Sequence, residues 1–487
     1  MFGPSRFVFL SEERELTVPG DWNRADWPKL WLYNLHYFDD LLADRAADRV
    51  DWHRALIARW VAENPPGHGK GWEPYPTSLR IVNWVKWASA GNALTFEALH
   101  SLAIQTRWLG RRREFHLLGN HLWVNAKALV FAGAFFDGVE AEHWCRMGMR
   151  LLRRELAEQV LPDGGHFERS PMYHAIVRED VLDLLQLGQR YPSLLEPADV
   201  ELLLHAAKRM GDWLQRMTHP DGGIAFFNDA SLGIAPTREA LLQYAGAIGV
   251  CAEEIKPVGL QAMPDSGYVR MQAGPAVMIA DVANIGPDYL PGHAHADTLS
   301  FELSLRGRRV LVNGGTSTYE AGAERLRQRG TAAHNTVVVD GCDSSEVWNS
   351  FRVARRARPL AVRWGQDGET LWLEAAHDGY RRLAGRVIHR RRWELTANSL
   401  EITDTLEGHW RSAVAFWHVH PDVAVQKKPD SLVLMEPNGF LIRFVADTGS
   451  AEVVNSHWHP SFGVSVPNLT IWSALTGPQS RIRMEWP

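Results

Sequence analysis

The sequence predicts an α+β multidomain protein, with an N-terminal incomplete α/α toroid followed by a C-terminal antiparallel β-sandwich. Apolar residues recur at helical spacing from about residue 25 to 255, and after Pro264-Asp265 the period changes to two. A tetrapeptide occurs twice, Pro162-Asp163-Gly164-Gly165 and Pro220-Asp221-Gly222-Gly223, each time closing a long helix with turn residues. The second half is a series of short alternating runs separated by turns such as Asn438-Gly439. These observations set the domains at 1–260 (helical) and 261–487 (strands).

In chain order, helices are expected over 27–42, 51–62, 76–90, 120–136, 142–161, 175–190 and 197–217. The segment 120–136 is apolar on nearly all sides except for its first turn and Lys127, the pattern of a buried helix. The spacing of the repeated turn suits one helical hairpin per repeat. Antiparallel pairs in a ring or superhelix follow, and a plain helical array is the alternative. Strands are expected over 266–271, 276–283, 298–305, 309–313, 334–340, 359–364, 370–375, 386–393, 400–405, 413–420, 432–435, 440–446, 464–474 and 481–486. The change of period near 255–265 has no linker composition, so the two parts are expected to pack closely with a cleft between them.

A chain of 487 residues with 45% hydrophobic content supports two sizeable cores. A formal charge of −5 without a basic block argues against nucleic acid as a partner. Three scattered cysteines (Cys145, Cys251, Cys342) make no disulfide framework. The first residues lack a signal-type apolar region, and no run reaches the roughly 18 apolar residues of a membrane span. The chain as given is therefore expected in the cytoplasm, or in the periplasm if its N-terminus is incomplete. Its 21 tryptophans suit sugar rings as well as cores.

Four clusters can carry chemistry. Gly119-Asn120-His121 opens the buried helix, where Asn120 is either a simple N-cap or a polar group serving a site. The stretch Asp163-Gly164-Gly165-His166-Phe167-Glu168-Arg169-Ser170-Pro171-Met172-Tyr173-His174 holds more polar side chains than a turn needs. His293-Ala294-His295, with His334 later, places two imidazoles on one face if extended, able to share a metal or a proton-transfer task. Trp72-Glu73-Pro74-Tyr75-Pro76-Thr77-Ser78-Leu79-Arg80 is either a sugar-binding lip or a proline-rich loop leading into the next helix. Arg111-Arg112-Arg113 reads as a solvated basic run, and His418, His420, His457 and His459 as core or rim polar groups. Asparagine, histidine and tyrosine together suit removal of the proton alpha to a uronic-acid carboxylate. Donors neutralise the carboxylate, histidine takes the proton near neutrality, and a tyrosine hydroxyl donates to the departing oxygen.

Asn120-His121, the loop 163–173, and Pro291-Gly292-His293-Ala294-His295-Ala296-Asp297 with Ala333-His334-Asn335 resemble the heparinase II/III-like polysaccharide lyases over nearly the whole chain. The resemblance implies a toroid followed by a sandwich, and β-elimination on an acidic polysaccharide or oligosaccharide. It implies that Asn120 and His121 neutralise the carboxylate, that Tyr173 is the acid (and the base for one epimer), and that His293 is the base for the other. It further implies zinc at His295, Asn313 and His334. Asn313 stands where metal-binding relatives carry Asp, and losing that carboxylate weakens such a site. Tyr75, Arg80, His166, Glu168 and Arg169 are expected to bind substrate, with Arg325, Arg327 and Arg329 as further partners for carboxylates or sulfates. Related sequences also suggest a setting in bacterial exopolysaccharide metabolism. Two rivals stand beside this reading. One is a toroid glycoside hydrolase using carboxylates such as Glu168 and Asp229. The other is a non-catalytic glycan-binding factor in polysaccharide biosynthesis.

Overall fold

The structure, a computed structural model, describes residues 1–250, 258–447 and 451–487. Cys251 and part of the expected boundary at 255–265 lie outside the described residues. Helices fill the first half: α1 (Lys29–Tyr37), α2 (Val50–Glu63), α3 (Pro74–Ser89), α4 (Phe96–Arg111), α5 (Gly119–Phe135), α6 (Val139–Gln159), α7 (Pro171–Arg190), α8 (Pro197–Arg216) and α9 (Arg238–Ala247). From Gly259 onward strands dominate, interrupted by the short helix α10 (Ala323–Arg329). Helical half followed by antiparallel sheets is the predicted toroid-plus-sandwich class. The expected helices are present with ends moved by a few residues, and α4 and α9 are additions. Each of these two carries a threonine N-cap: Thr95 accepts from the Ala98 amide and Thr237 from the Ala240 amide, both at 3.2 Å.

Contacts divide the chain into two compact units, Met1–Gln159 with Asp180–His205, and Val160–Glu179 with Ala206–Pro487. The division passes through α7 and α8, so the change of secondary structure and the change of contacts fall at different places.

In the first unit, α5 packs against both α3 and α6. Its residues from Leu122 to Ala132 are buried in every direction, as its composition requires. Lys127 is the buried exception. Its ammonium lies between Asp180 and Asp183, and Asp180 also accepts from the Trp123 indole at 2.9 Å. A charge taken from water needs such partners.

Among the described residues the second unit holds two large antiparallel sheets and a two-stranded one, Val347–Trp348 with Arg352–Val353. An eight-stranded sheet runs from Pro359–Asp367 at one edge to Ala424–Lys427 at the other. A nine-stranded sheet runs from Ala451–Trp458 to Gly259–Met263, with Val337–Val339 pairing onto Ala413–Val419. Leu373, Trp393 and Ile402 of the first sheet pack with Met278, Leu303 and Trp417 of the second. Strand Ile388–Leu395 alternates between half-buried and buried residues, as a sheet with one covered face should. Ala276–Asp281 is buried on both faces, because Val277 and Ile279 also pack with Trp213 and Met217 near the end of α8 and with Phe227 beyond it.

The repeated tetrapeptide is one turn built twice. Asp163 accepts from the Gly165 amide at 3.0 Å, and Asp221 from the Gly223 amide at 2.9 Å. The glycines between them have φ of +91° and +87°, and a Cβ on Gly164 would lie 2.2 Å from the Arg209 carbonyl oxygen. Each aspartate's second oxygen then ties the turn to the strands, Asp163 to Ser266 and Asp221 to Arg309, both at 2.7 Å.

Candidate active site

The two turns deliver two loops to one place in the second unit. After the first, Ser170 caps α7 by accepting the Tyr173 amide at 3.2 Å, which sets Tyr173 in the first helical turn. After the second, Asn228 takes a left-handed conformation (φ +57°) and binds three segments. Its amide donates to Asp297 at 3.0 Å, its side-chain oxygen accepts from the His295 amide at 3.1 Å, and its side-chain nitrogen donates to the Arg169 carbonyl at 2.9 Å. Asp229 follows, fully buried.

His293 and His295 share a face if the chain is extended there. They lie in an irregular segment before the strand Phe301–Leu305, whose start is three residues later than the expected 298. Their shared face is defined by one carboxylate: His293 Nδ1 lies 2.9 Å from Asp229 Oδ2, and His295 Nε2 lies 2.9 Å from Asp229 Oδ1. Arg325 of α10 grips both carboxylate oxygens, with Nη2 2.7 Å from Oδ2. Burial alone would raise the Asp229 pKa, but the Arg325 guanidinium and the two imidazoles outweigh it and hold the carboxyl well below its usual range. An ionised Asp229 requires a proton on His293 Nδ1, leaving the Nε2 lone pair for chemistry.

The His293 ring lies against the Tyr173 ring, centroids 4.0 Å apart. The Tyr173 hydroxyl is 3.1 Å from the Tyr319 hydroxyl. His293 retains 16% side-chain exposure, whereas Asp229 and His295 have none. A proton acceptor and a phenol therefore stand side by side, braced from behind by a buried ion pair. Tyr319 and the bracing role of Asp229 and Arg325 were missed in the sequence, because residues from four separated segments meet here and no spacing links them.

The expected zinc ligands do not form a fitting set. His295 Nδ1 and His334 Nε2 are 3.3 Å apart, about the separation of two nitrogens on one tetrahedral zinc. The same 3.3 Å separates His389 Nδ1 and His377 Nε2, where His389 also binds Asp404 at 2.6 Å and Arg391 grips that carboxylate. His–His–Asp–Arg is thus a hydrogen-bonded chain used twice in this unit. Asn313 is neutral and already engaged, donating to the Phe226 carbonyl at 2.9 Å and accepting from the Asn335 amide at 3.2 Å. Among the described residues no three His, Cys, Asp or Glu side chains are arranged to hold a metal ion. Burial pushes the pKa of His295 down, and that of His334 well down, so both imidazoles are neutral.

Several expected substrate contacts are structural instead. Arg80 is fully buried in the first unit, donating to Gln105 at 2.9 Å, the His36 carbonyl at 3.1 Å and the Gly71 carbonyl at 2.8 Å. Its guanidinium stacks 3.9 Å from the Trp60 ring centroid. Arg169 donates to the carbonyls of Ser266 and Gly286 at 3.1 and 2.7 Å. Arg325 is the brace described above. Arg327 pairs with Glu324 at 2.7 Å, and Arg329 donates to the Ala294 carbonyl at 2.8 Å. His166 is buried, and Glu168 is nearly so, 3.9 Å from His293 Nε2.

In the first unit, Asn120 and His121 occupy the first turn of α5, whose N-cap is Leu118, so Asn120 is not the cap. His121 Nδ1 lies 3.1 Å from Glu114, and its ring is 4.5 Å from the Tyr75 ring. His121, Tyr75 and Glu114 thus form one polar and aromatic group, and Asn120 is the buried residue beside it in the chain.

Two family models match the chain: Heparinase II/III N-terminus over residues 54–247, and Heparinase II/III-like, C-terminal over 255–485. The chain is 27% identical over 464 residues to FtsZ-localized protein C of Caulobacter vibrioides, covering 87% of this chain and 76% of that protein. It is 24% identical over 325 residues to a heparin-sulfate lyase of Bacteroides stercoris, covering 62% of this chain but 46% of that enzyme. A crystal structure of heparinase III superposes with a TM-score of 0.77 at 20% identity, covering 95% of this chain and 78% of that one. A Streptomyces coelicolor chondroitin AC lyase in complex with chondroitin sulphate gives 0.59 at 10% identity, covering 94% and 75%. At these identities the structural likenesses establish the fold.

Proposed function

The chain belongs to the heparinase II/III-like family, and from that premise we propose that it is a polysaccharide lyase cleaving uronic-acid-containing glycan by β-elimination. The observation that carries this is the pairing of His293, held through Nδ1 by ionised Asp229, with the Tyr173 ring 4.0 Å away. His293 Nε2 takes the proton alpha to the uronate carboxylate. The electron pair left behind forms the carbon–carbon double bond as the glycosidic carbon–oxygen bond breaks. The Tyr173 hydroxyl gives its proton to the departing oxygen, and Tyr319 returns a hydrogen bond to Tyr173. No water is consumed. Asn120 and His121 carry over as the groups that neutralise the carboxylate, a role for Asn120→Ala and His121→Ala to test by loss of kcat.

The hydrolase alternative loses support from the burial of Asp229. A glycosidase carboxyl must reach the scissile bond or its water, and Asp229 is sealed, with both oxygens engaged by Arg325 and the histidines. A second reading, glycan binding without catalysis, draws on the relative named for its localisation, which covers 87% of this chain. One experiment separates them. Purified protein is incubated with a panel of acidic glycans and followed by the ultraviolet absorbance of unsaturated uronate. Absorbance that rises with wild type and is lost in His293→Ala and Tyr173→Phe supports the lyase. New reducing ends without absorbance would sink it, and binding without either product would favour the second reading.

A further inference from the structure

The first unit contains a cavity of about 430 Å³ lined by residues including Gly67, Trp72, Trp108, Arg112, Arg113 and His116. That volume lies in the range of small-ligand sites, roughly 300–1,000 Å³. Gly67 forms part of the wall and substitution there is strained: its φ is +77°, and a Cβ would lie 2.8 Å from the Trp108 ring. Trp108 is fixed by its indole N–H, which donates to the Trp72 carbonyl at 2.9 Å.

Two arginines line this cavity. Arg112 stacks on Trp108, its guanidinium carbon 4.0 Å from the ring centroid, and Arg113 lies 5.3 Å from the Phe115 ring. Stacking occupies the flat face of a guanidinium and leaves its N–H edge available for a planar anion. Among the described residues Arg113 Nε is buried without a hydrogen-bond partner. Glu73, the acidic group in the lining, is paired with Lys29 at 3.0 Å and Lys70 at 3.4 Å and accepts a hydrogen bond from the Tyr33 hydroxyl. The cavity is therefore locally cationic on a chain whose formal charge is −5. Pro74 also lines it, and the next residue, Tyr75, packs on His121 at 4.5 Å.

We propose that this cavity is an accessory subsite for an anionic sugar, with Arg112 and Arg113 gripping the carboxylate or sulfate of a glycan residue other than the one being cleaved. The proposal rests on the polysaccharide reading above and deepens it, giving the chain a preference for charged over neutral glycan and for longer over shorter substrates. The basic run at 111–113, which reads as solvated in the sequence, acquires a ligand. A flat polyanion such as duplex nucleic acid is the less favoured occupant, because the cations sit around a cavity between aromatic walls.

The test uses the full chain with His293→Ala to stop turnover, with and without Arg112→Ala and Arg113→Ala together. Neither arginine is in the catalytic group, and circular dichroism and thermal midpoints verify folding. Binding is measured by affinity electrophoresis against hyaluronan (carboxylate only), heparan sulfate (carboxylate and sulfate), neutral dextran and duplex DNA. The expected result is retardation by at least one acidic glycan and not by dextran or DNA, weakened about tenfold or more by the double substitution, as for loss of charge-assisted hydrogen bonds. The two acidic glycans report which anion is read. Unchanged binding in the folded double variant would overturn the subsite, as would equal binding of dextran or of DNA. In the otherwise wild-type chain, the double substitution should raise KM for long substrate and leave kcat alone. Product formation with unaltered KM would overturn the subsite while the lyase reading stands. Arginine-dependent glycan binding without unsaturated product would uphold the subsite and remove the lyase.

Discussion

Replacing Asp229 by asparagine changes one oxygen to an amide and tests the site's central claim. The carboxylate is fully buried and serves His293, His295 and both arms of Arg325. Asparagine keeps the shape but removes the charge, so Arg325 is left as a buried cation without a counterion. Breaking a buried pair in this way costs about 3–5 kcal/mol. The amide also has one acceptor instead of two. With Arg325 claiming that oxygen, the NH2 turns toward His293 Nδ1 and forces the proton to Nε2, the atom required to act as base. A comparable aspartate-to-asparagine change behind a catalytic histidine in serine proteases lowers kcat about 10⁴-fold. Asp229→Asn is therefore expected to lower kcat by roughly 10²–10⁴-fold, with KM little changed.

Two effects are mixed in that variant, and a second substitution separates them. Asp229→Asn with Arg325→Gln removes the stranded cation, so much of the lost stability should return while kcat stays low. Denaturant unfolding gives the stability and unsaturated-product formation gives kcat. If Asp229→Asn is destabilised yet keeps kcat within about threefold of wild type, the carboxylate is structural only and the tautomer argument fails. If the double variant regains kcat along with stability, the loss came from misfolding and not from His293.

Tyr173→Phe should lower kcat by about 10²–10⁴-fold, whereas Tyr319→Phe, which removes only a supporting hydrogen bond, should cost about tenfold or less; comparable losses would make Tyr319 a proton donor in its own right. Dialysis against a chelator should leave activity and thermal midpoint unchanged, and loss of activity restored by zinc would reverse the reading of His295 and His334. Arg80→Lys should destabilise the first unit by about 2–4 kcal/mol in denaturant unfolding without altering KM; a raised KM at full stability would return Arg80 to the substrate site. Burial pushes His36 and His174 down to about 3 and His418 down to about 4, so the unfolded chain takes up protons below about pH 6.5 that the folded chain refuses. Stability should then fall as pH drops from 6.5 toward 4, by about 1.4 kcal/mol per pH unit for each histidine, and His174→Gln should flatten the slope measured by denaturant midpoints.

What was legible in the sequence followed from periodicity and from contiguous motifs. The helical half, the alternating strands and the twin Asp-Gly-Gly turns each write their geometry into neighbouring residues. Edge strand Ala451–Trp458 was not legible, because most of its residues are exposed or only half-buried and the alternation that marks a covered face is absent. The chemistry divides along the same line. Tyr173 and His293 sit in dense polar stretches and were found, and they lie ring against ring. In the sequence Asp229 reads as a carboxylate for hydrolysis and Arg325 as a partner for substrate anions, whereas in the structure the two bind each other. Their meaning depends on burial: a carboxylate that is exposed can attack or protonate, but one sealed behind two imidazoles and a guanidinium can only hold and orient. The repeated His–His–Asp–Arg chain sharpens this. His377, His389, Asp404 and Arg391 reproduce the arrangement inside the sandwich, where His389 Nε2 is 2.6 Å from Asp404, so the chain alone confers no activity. What sets the first copy apart is a third imidazole, His293, which shares Oδ2 of the aspartate with Arg325 and is still reachable from solvent. That difference of one residue, invisible as spacing, is what turns a structural motif into a candidate base.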